Sequence, residues 1–322
     1  SGDYFKKPNY INQFRDNPPD LLHVGKATPI LHMWGPVRMY QGENQWTGGP
    51  GHTLNWDNIA LISPQALAKR IENIRNTLKR YHEIGIPAIL PYISYHTVSG
   101  DHEKRLGFWE FYDKWDAYSR WAGTRPSRDP FDWLVVDIEG KFVGGSCGGY
   151  SPDYYAPLHR YRACINHPDW AEWHRRLIGM IAEVGYDGCF VDNCHPDPCY
   201  CRYCKAAFRE WLRRKYGDLD TLNKAWWTAF WSHTYTEWDQ VGSPAHEDIG
   251  RRHAIHGLAL DWKRFCSDQT ISLYKNEADI LHELCPGIPV TTNAYGYCTS
   301  LIPRDYAEAV DVAAWDCYVD YH

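Results

Sequence analysis

Three cysteines, Cys199, Cys201 and Cys204, fall within six residues of one another. The spacing Cys-x-Cys-x-x-Cys places three soft ligands on one turn and the start of a helix. Tetrahedral zinc is the natural occupant of such a set once a fourth ligand joins it. Cys164, just before a helix leading into the same region, is the first choice for that ligand. Cys147 and His195 are the alternatives. Four thiolates leave no open coordination position, so a structural zinc is expected. Zinc-dependent hydrolysis would need only three protein ligands and a water. The chain holds 11 cysteines. An odd number with three crowded together does not resemble a disulfide framework, and points to metal binding and a reducing, cytoplasmic compartment.

Just upstream, the apolar run Cys189-Phe190-Val191 passes directly into Asp192-Asn193. A buried strand with a polar end suits chemistry at that end. Asp192 could be a nucleophile, a substrate hydrogen-bond acceptor, or a carboxylate that holds Asn193. Asp316, after Ala313-Ala314-Trp315, occupies a comparable place. Two carboxyl groups facing one cleft are what glycoside hydrolysis requires, one as proton donor and one ionised as nucleophile or base. Asn193, His96, Asn293, Tyr295 and Trp315 follow or end other apolar strands and are expected to contact the substrate. Asp137 and Glu139 form a tempting Asp-x-Glu, but the Glu139-Gly140-Lys141 sequence reads better as a turn.

The elements that must position these residues alternate. Ser63 and Pro64 open a helix whose stripe is Leu67, Ile71, Ile74, Leu78 and Tyr81, stopped by Gly85. A second helix starts near Pro168 and ends at Gly185. Further helices are predicted over 204–216, from 218 onward, and over about 255–284. Strands are predicted at 29–34, 86–95, 189–193, 288–293 and 311–318, with a hairpin over 131–143. Strand–helix alternation means parallel strands, and polar strand ends on one side suit a (β/α)8 TIM barrel. A doubly wound sheet is the other candidate, but no Gly-x-Gly-x-x-Gly follows the first strand. Five or six barrel strands are legible where a closed barrel has eight, so some are hidden in the first 150 residues or the last strands lie outside this chain. Residues 1–30 read as an N-terminal arm and 31–322 as the barrel.

Composition narrows the partners. The 322 residues carry a net charge of −6, which gives no basic footprint for nucleic acid. No apolar run is long enough to span a membrane, and the polar start Ser1-Gly2-Asp3 does not read as a signal peptide. Sixteen Trp and 23 Tyr are either core filler or the lining of a sugar-binding cleft.

The run Cys199-Tyr-Cys-Arg-Tyr-Cys204 through Gly217, then Leu219-Asp-Thr-Leu-Asn-Lys-Ala-Trp226 and Ala229-Phe-Trp-Ser232, resembles the zinc-bearing β-galactosidases of glycoside hydrolase family 42. So do Leu260–Asp268, Val290–Asn293 and Asp311–Asp316. The resemblance covers roughly residues 160–318. It implies a (β/α)8 barrel, a retaining glycosidase acting on a galactoside, a homo-oligomer, and zinc held by Cys164, Cys199, Cys201 and Cys204. The first 150 residues do not follow the family pattern, the family's nucleophile Glu lies on a strand after Trp-Asp-x-Tyr, where this sequence stops, and a further departure falls at the acid/base. The family's strand reads Asp-Asn-Glu, with the Glu as acid/base, and this chain reads Asp192-Asn193-Cys194. The same strand is similar to barrel glycosidases of α-fucosidase and α-amylase type, in which the strand-end Asp is the nucleophile. That makes Asp192 the expected nucleophile and Asp316 its partner. The alternative is a carbohydrate-binding barrel that has lost its acid/base.

Overall fold

The computed structural model describes residues 9–24, 35–38, 60–93, 97–143, 159–191, 199–244, 255–284, 286–287, 289–293 and 303–314. In chain order the strands are β1 Leu21–His23, β2 Val37–Arg38, β3 Ala60–Leu61, β4 Ala88–Leu90, β5 Tyr92–Ile93, β6 Thr97–Asp101, β7 Leu106–Gly107, β8 His159–Arg162, β9 Phe190–Val191, β10 Thr291–Asn293 and β11 Val312–Ala314. The α-helices are α1 Pro64–Glu83, α2 Phe108–Asp113, α3 Ser119–Ala122, α4 Pro168–Val184, α5 Arg202–Tyr216, α6 Leu219–Trp226, α7 His256–Leu284 and α8 Pro303–Ala307.

Strand order separates the two candidate architectures. β1 pairs with β4, β5 with β9, β9 with β10, and β10 with β11, all in parallel. β4 and β5 are one extended run interrupted at Pro91, which has no N–H to donate. The ladder crosses the interruption, because Phe190 N donates to Pro91 O at 2.9 Å and Asp187 N to Ile89 O at 3.2 Å. The described ribbon therefore runs β1, β4–β5, β9, β10, β11, each strand later in the chain than its neighbour, while β2–β3 and β7–β6–β8 form separate small sheets. A doubly wound sheet reverses its order part-way, whereas a barrel wall adds each new strand on the same side. α1, α4, the α5–α7 set and α8 occupy the connections, as β/α alternation demands.

Local signals account for the long helices. Ser63 Oγ accepts from Ala66 N at 3.2 Å, and the five predicted stripe residues of α1 are all buried. Gly85 then takes a positive φ of 95°, open to glycine at little cost. α4 is capped by His167, whose Nδ1 accepts from Asp169 N at 3.2 Å, and it ends at Gly185 with φ 101°.

Elsewhere the structure corrects the reading. β1 lies inside the stretch predicted as an arm, pairs with β4, and has its Leu22 buried in the core. The arm reading misses it because three residues are too few to show a period. The strand predicted at 29–34 lies outside the described residues. Phe131–Trp133 belongs to a 3₁₀ turn, so the hairpin is confined to the Val136↔Phe142 bridge. Its turn is as expected: Asp137 Oδ1 accepts from Glu139 N at 2.9 Å and Lys141 N at 2.8 Å.

Much of the aromatic content of the described residues is core. Trp109, Trp115, Trp133 and Trp170 are fully buried. Trp115 packs on Phe111 and Trp173, each with ring centroids 4.7 Å apart. These rings fill the space between α2, the turn after it and α4, burying on the order of 150–250 Å² each.

Candidate metal centre and strand-end site

Three separate backbone segments converge on the cysteines. Cys164 N donates to Trp133 O at 2.6 Å, which ties the segment after β8 to the turn before the hairpin. Tyr200 N donates to Val136 O at 2.9 Å and draws the Cys199 segment to that hairpin. Cys201 is the N-cap of α5, its Sγ accepting from Cys204 N at 3.4 Å. The four Sγ atoms of Cys164, Cys199, Cys201 and Cys204 all lie within 4.8 Å of one another. Cys164 Sγ is 3.4 Å from Cys204 Sγ and 3.5 Å from Cys201 Sγ. A disulfide needs about 2.05 Å. A tetrahedron with metal–sulfur bonds of about 2.3 Å has sulfur–sulfur edges of about 3.8 Å. The spacing thus fits a four-thiolate metal site, and all four cysteines are free thiols. Cys147 and His195, the other candidates for fourth ligand, lie outside the described residues.

Electrostatics agrees with that fit. Hydrogen bonding among the sulfurs, with Cys164 the first partner in each case, pulls the Cys199 and Cys201 thiols down. Cys164 and Cys204 are pushed up by their sulfur neighbours and by burial. Packed this closely, the four cannot all ionise without a cation among them, and a bound cation would release the remaining protons. Asn166 Nδ2 donates to Cys204 Sγ at 3.3 Å, a contact the spacing of the cysteines does not announce.

The stretch from Asp187 to Cys204 is anchored at both ends. Asp187 Oδ2 accepts from Ile89 N at 2.9 Å and sits 3.3 Å from His82 Nε2 on α1. Burial holds the Asp187 carboxyl above its ordinary value, against the opposing pull of the Ile89 N–H and His82. At the other end Cys199, Cys201 and Cys204 join the thiol cluster. Along the ribbon, Ile93, Val191, Thr292 and Ala313 are register partners in turn. Four parallel strands therefore end along one edge. Asn293 closes β10 opposite Ala314. His96, Asp192, Asn193, Tyr295, Trp315 and Asp316 follow these strand ends in sequence and lie outside the described residues.

Two buried polar centres had no local signature. Asp261 on α7 is buried and accepts from Tyr216 OH at 2.6 Å, Trp226 Nε1 at 3.0 Å and Arg264 Nη1 at 2.8 Å, and from Lys215 Nζ. His174 on α4 and Glu277 on α7 meet at 3.0 Å with side chains only 2% and 1% exposed. Burial lowers the His174 pKa to about 3 and raises that of Glu277 well above its usual range, so it favours the neutral form of both partners.

The sequence can now be set beside known proteins. Residues 188–322 match the glycoside hydrolase family 42 model, beta-galactosidase. The chain resembles that family, as its cysteine and strand motifs led one to expect. Beta-galactosidase BglY of Alicyclobacillus acidocaldarius is 42% identical over 176 residues, covering 54% of this chain and 24% of that enzyme. The crystal structure of a beta-galactosidase from Bacillus circulans sp. alkalophilus aligns with a TM-score of 0.54 at 31% identity, over 76% of this chain and 32% of that one. The beta-galactosidase of the haloarchaeon Halorubrum lacusprofundi aligns with a TM-score of 0.62 over 99% of this chain and 38% of that one. Its 22% identity speaks to fold alone. The family-42-like chain therefore has the α/β, (β/α)8-barrel fold class. It spans about a quarter of the length of BglY. No helix of the described residues is long and apolar enough to cross a membrane.

Proposed function

We propose that this chain is the barrel part of a glycoside hydrolase that acts on galactosides with retention. Residues 1–30 would precede the barrel, apart from β1, and 31–322 would build it. The observation that carries the reading is the edge on which β5, β9, β10 and β11 all end, the last three within the segment matched to the β-galactosidase family model. Barrel enzymes assemble their active sites at that edge from several strands. Asp192, directly after β9, is the nucleophile of this proposal and Asp316, after β11, the second carboxyl. Retention requires the two about 5–5.5 Å apart. Asn193, His96, Asn293, Tyr295 and Trp315 would hold the sugar. In this reading the four cysteines carry zinc, which supplies a charged cross-link between the segment after β8 and the start of α5. It takes no part in bond cleavage because four thiolates fill its coordination shell. The four clustered cysteines, none of them in a disulfide, support a reducing, cytoplasmic location, and the resemblance supports a homo-oligomer.

One observation favours a second reading. Cys194 stands where the family has its acid/base glutamate, which supports a barrel that binds galactosides without cleaving them. One assay series separates the two. Full-length protein is offered an aryl β-galactoside with a good leaving group and one with a poor leaving group. Turnover of the first, lost in Asp192→Asn, supports hydrolysis with Asp192 as nucleophile. Cys194→Glu should then raise turnover of the poor leaving group by roughly 10²–10⁴-fold, the usual worth of a positioned general acid. Unchanged turnover in Asp192→Asn removes Asp192 from the mechanism, and binding with no turnover of either substrate leaves the binding barrel.

A further inference from the structure

The thiol cluster has a polar neighbour that no ligand spacing assigns. A divalent cation held by four thiolates leaves an excess of negative charge in a buried place, since Cys164, Cys199 and Cys204 are all buried. Such charge is costly unless N–H dipoles or cations face it. N–H donors reach the sulfurs from the backbone of Cys204, at 3.4 Å from Cys201 Sγ, and from Asn166 Nδ2, at 3.3 Å from Cys204 Sγ. The backbone donor comes with the N-cap geometry of α5 and survives any side-chain change. Asn166 is different: it lies on the segment that carries Cys164, two residues further on, and reaches across to the helix that carries Cys204. Its amide thus bridges the two pieces of chain that supply the ligands. A thiolate accepts and cannot donate, so the NH₂ side of the amide must face it.

We propose that Asn166 is a positioning residue of the metal centre, setting its affinity by donating to the Cys204 thiolate. The inference rests on the zinc reading of the four cysteines. Outer donors of this kind typically change metal affinity by about 10- to 100-fold.

The test is a zinc competition titration of the full chain against a chromophoric chelator at pH 7. Asn166→Leu, which keeps the branched shape and removes the donor, should bind zinc about 10- to 100-fold more weakly than wild type. Asn166→Asp, which sets a carboxylate against the thiolate, should bind more weakly still. Cadmium-loaded Asn166→Leu should retain the full thiolate-to-metal absorption, since all four ligands remain. If Asn166→Leu does not fold without metal, chelator-triggered release from the loaded protein is measured instead and should be faster than from wild type. Equal affinity or equal release in wild type and Asn166→Leu overturns the role of Asn166 and leaves the zinc reading standing. A wild type that binds no zinc overturns the zinc reading, and this inference with it.

Discussion

The two ends of α5 solve the same problem in opposite ways. At its N-terminus Cys201 and Cys204 meet Cys164 and Cys199. At its C-terminus Lys215 and Tyr216 meet the buried carboxylate of Asp261. Both ends hold groups that carry negative charge away from water. The carboxylate is satisfied entirely by its own chain, with an ammonium, a phenol, an indole and a guanidinium around it. Burial alone would raise its pKa, but those four partners outweigh it and hold the carboxyl below its ordinary value. The thiols have N–H donors and one another, which is too little to let all four ionise. One end is complete as folded; the other is built to receive a cation. The helix suits both, with its positive dipole end at the thiols and Arg213, Arg214 and Lys215 in its last turn.

The largest expected effect is at the thiol end. Removing metal with a strong chelator should lower the thermal unfolding midpoint more than any substitution below, because structural zinc contributes on the order of 10 kcal/mol in small domains. An unfolding curve that the chelator leaves unmoved would break the contrast between the two ends. Next comes Asp261→Ala, which orphans Tyr216 and Trp226 and unpairs Lys215 and Arg264. A loss of about 3–5 kcal/mol in denaturant unfolding is expected, the usual result of breaking a buried ion pair, and it should be the same with and without metal. Because the Asp261 pKa is depressed, its contribution is present above pH 3.8 and lost as the pH falls through its folded value.

The smallest effect sharpens the comparison with a third buried centre, His174–Glu277, where burial favours the neutral form of both partners. Unfolded, the pair titrates near 6.5 and 4.5. Between those values folding only moves a proton from imidazole to carboxylate, so stability is flat. Above 6.5 the folded state holds one proton more than the unfolded state, and stability falls by up to about 1.4 kcal/mol per pH unit. Below 4.5 the unfolded state holds the extra proton, and stability falls as the pH drops toward the folded His174 value of about 3. Glu277→Gln should abolish the alkaline slope and move the onset of the acid one from 4.5 up to 6.5. An alkaline limb of unchanged slope in that variant would show that Glu277 is already ionised in the fold.

How much of this could be read from residue order differs by kind of interaction. The helices were legible because their signals are local: Ser63 and Pro64 start α1, an apolar stripe runs along it, and Gly85 stops it. Three metal ligands were legible for the same reason, since Cys199, Cys201 and Cys204 are neighbours in sequence. Cys164 could be proposed from its place before α4, but only the hairpin at Val136 and the contact with Trp133 O bring it to the others. The strands were harder, since runs of two or three residues such as β1 and β9 carry no period, and their parallel partners lie dozens of residues away.

The sequence by itself determined the helical stripes and caps, the turn at Asp137, the likeness to a glycosidase family and the soft character of the metal ligands. Each rests on chemistry among residues a few positions apart. Tertiary structure alone decided the chain-order ribbon that separates a barrel from a doubly wound sheet, the reach of Asn166 to Cys204, and the closure of Asp261 by two other helices. It also decided the meeting of His174 with Glu277, 103 residues apart in the chain. Such pairings follow from how whole elements pack, because burial makes an unpartnered polar group costly and selects the arrangement in which each one finds a partner.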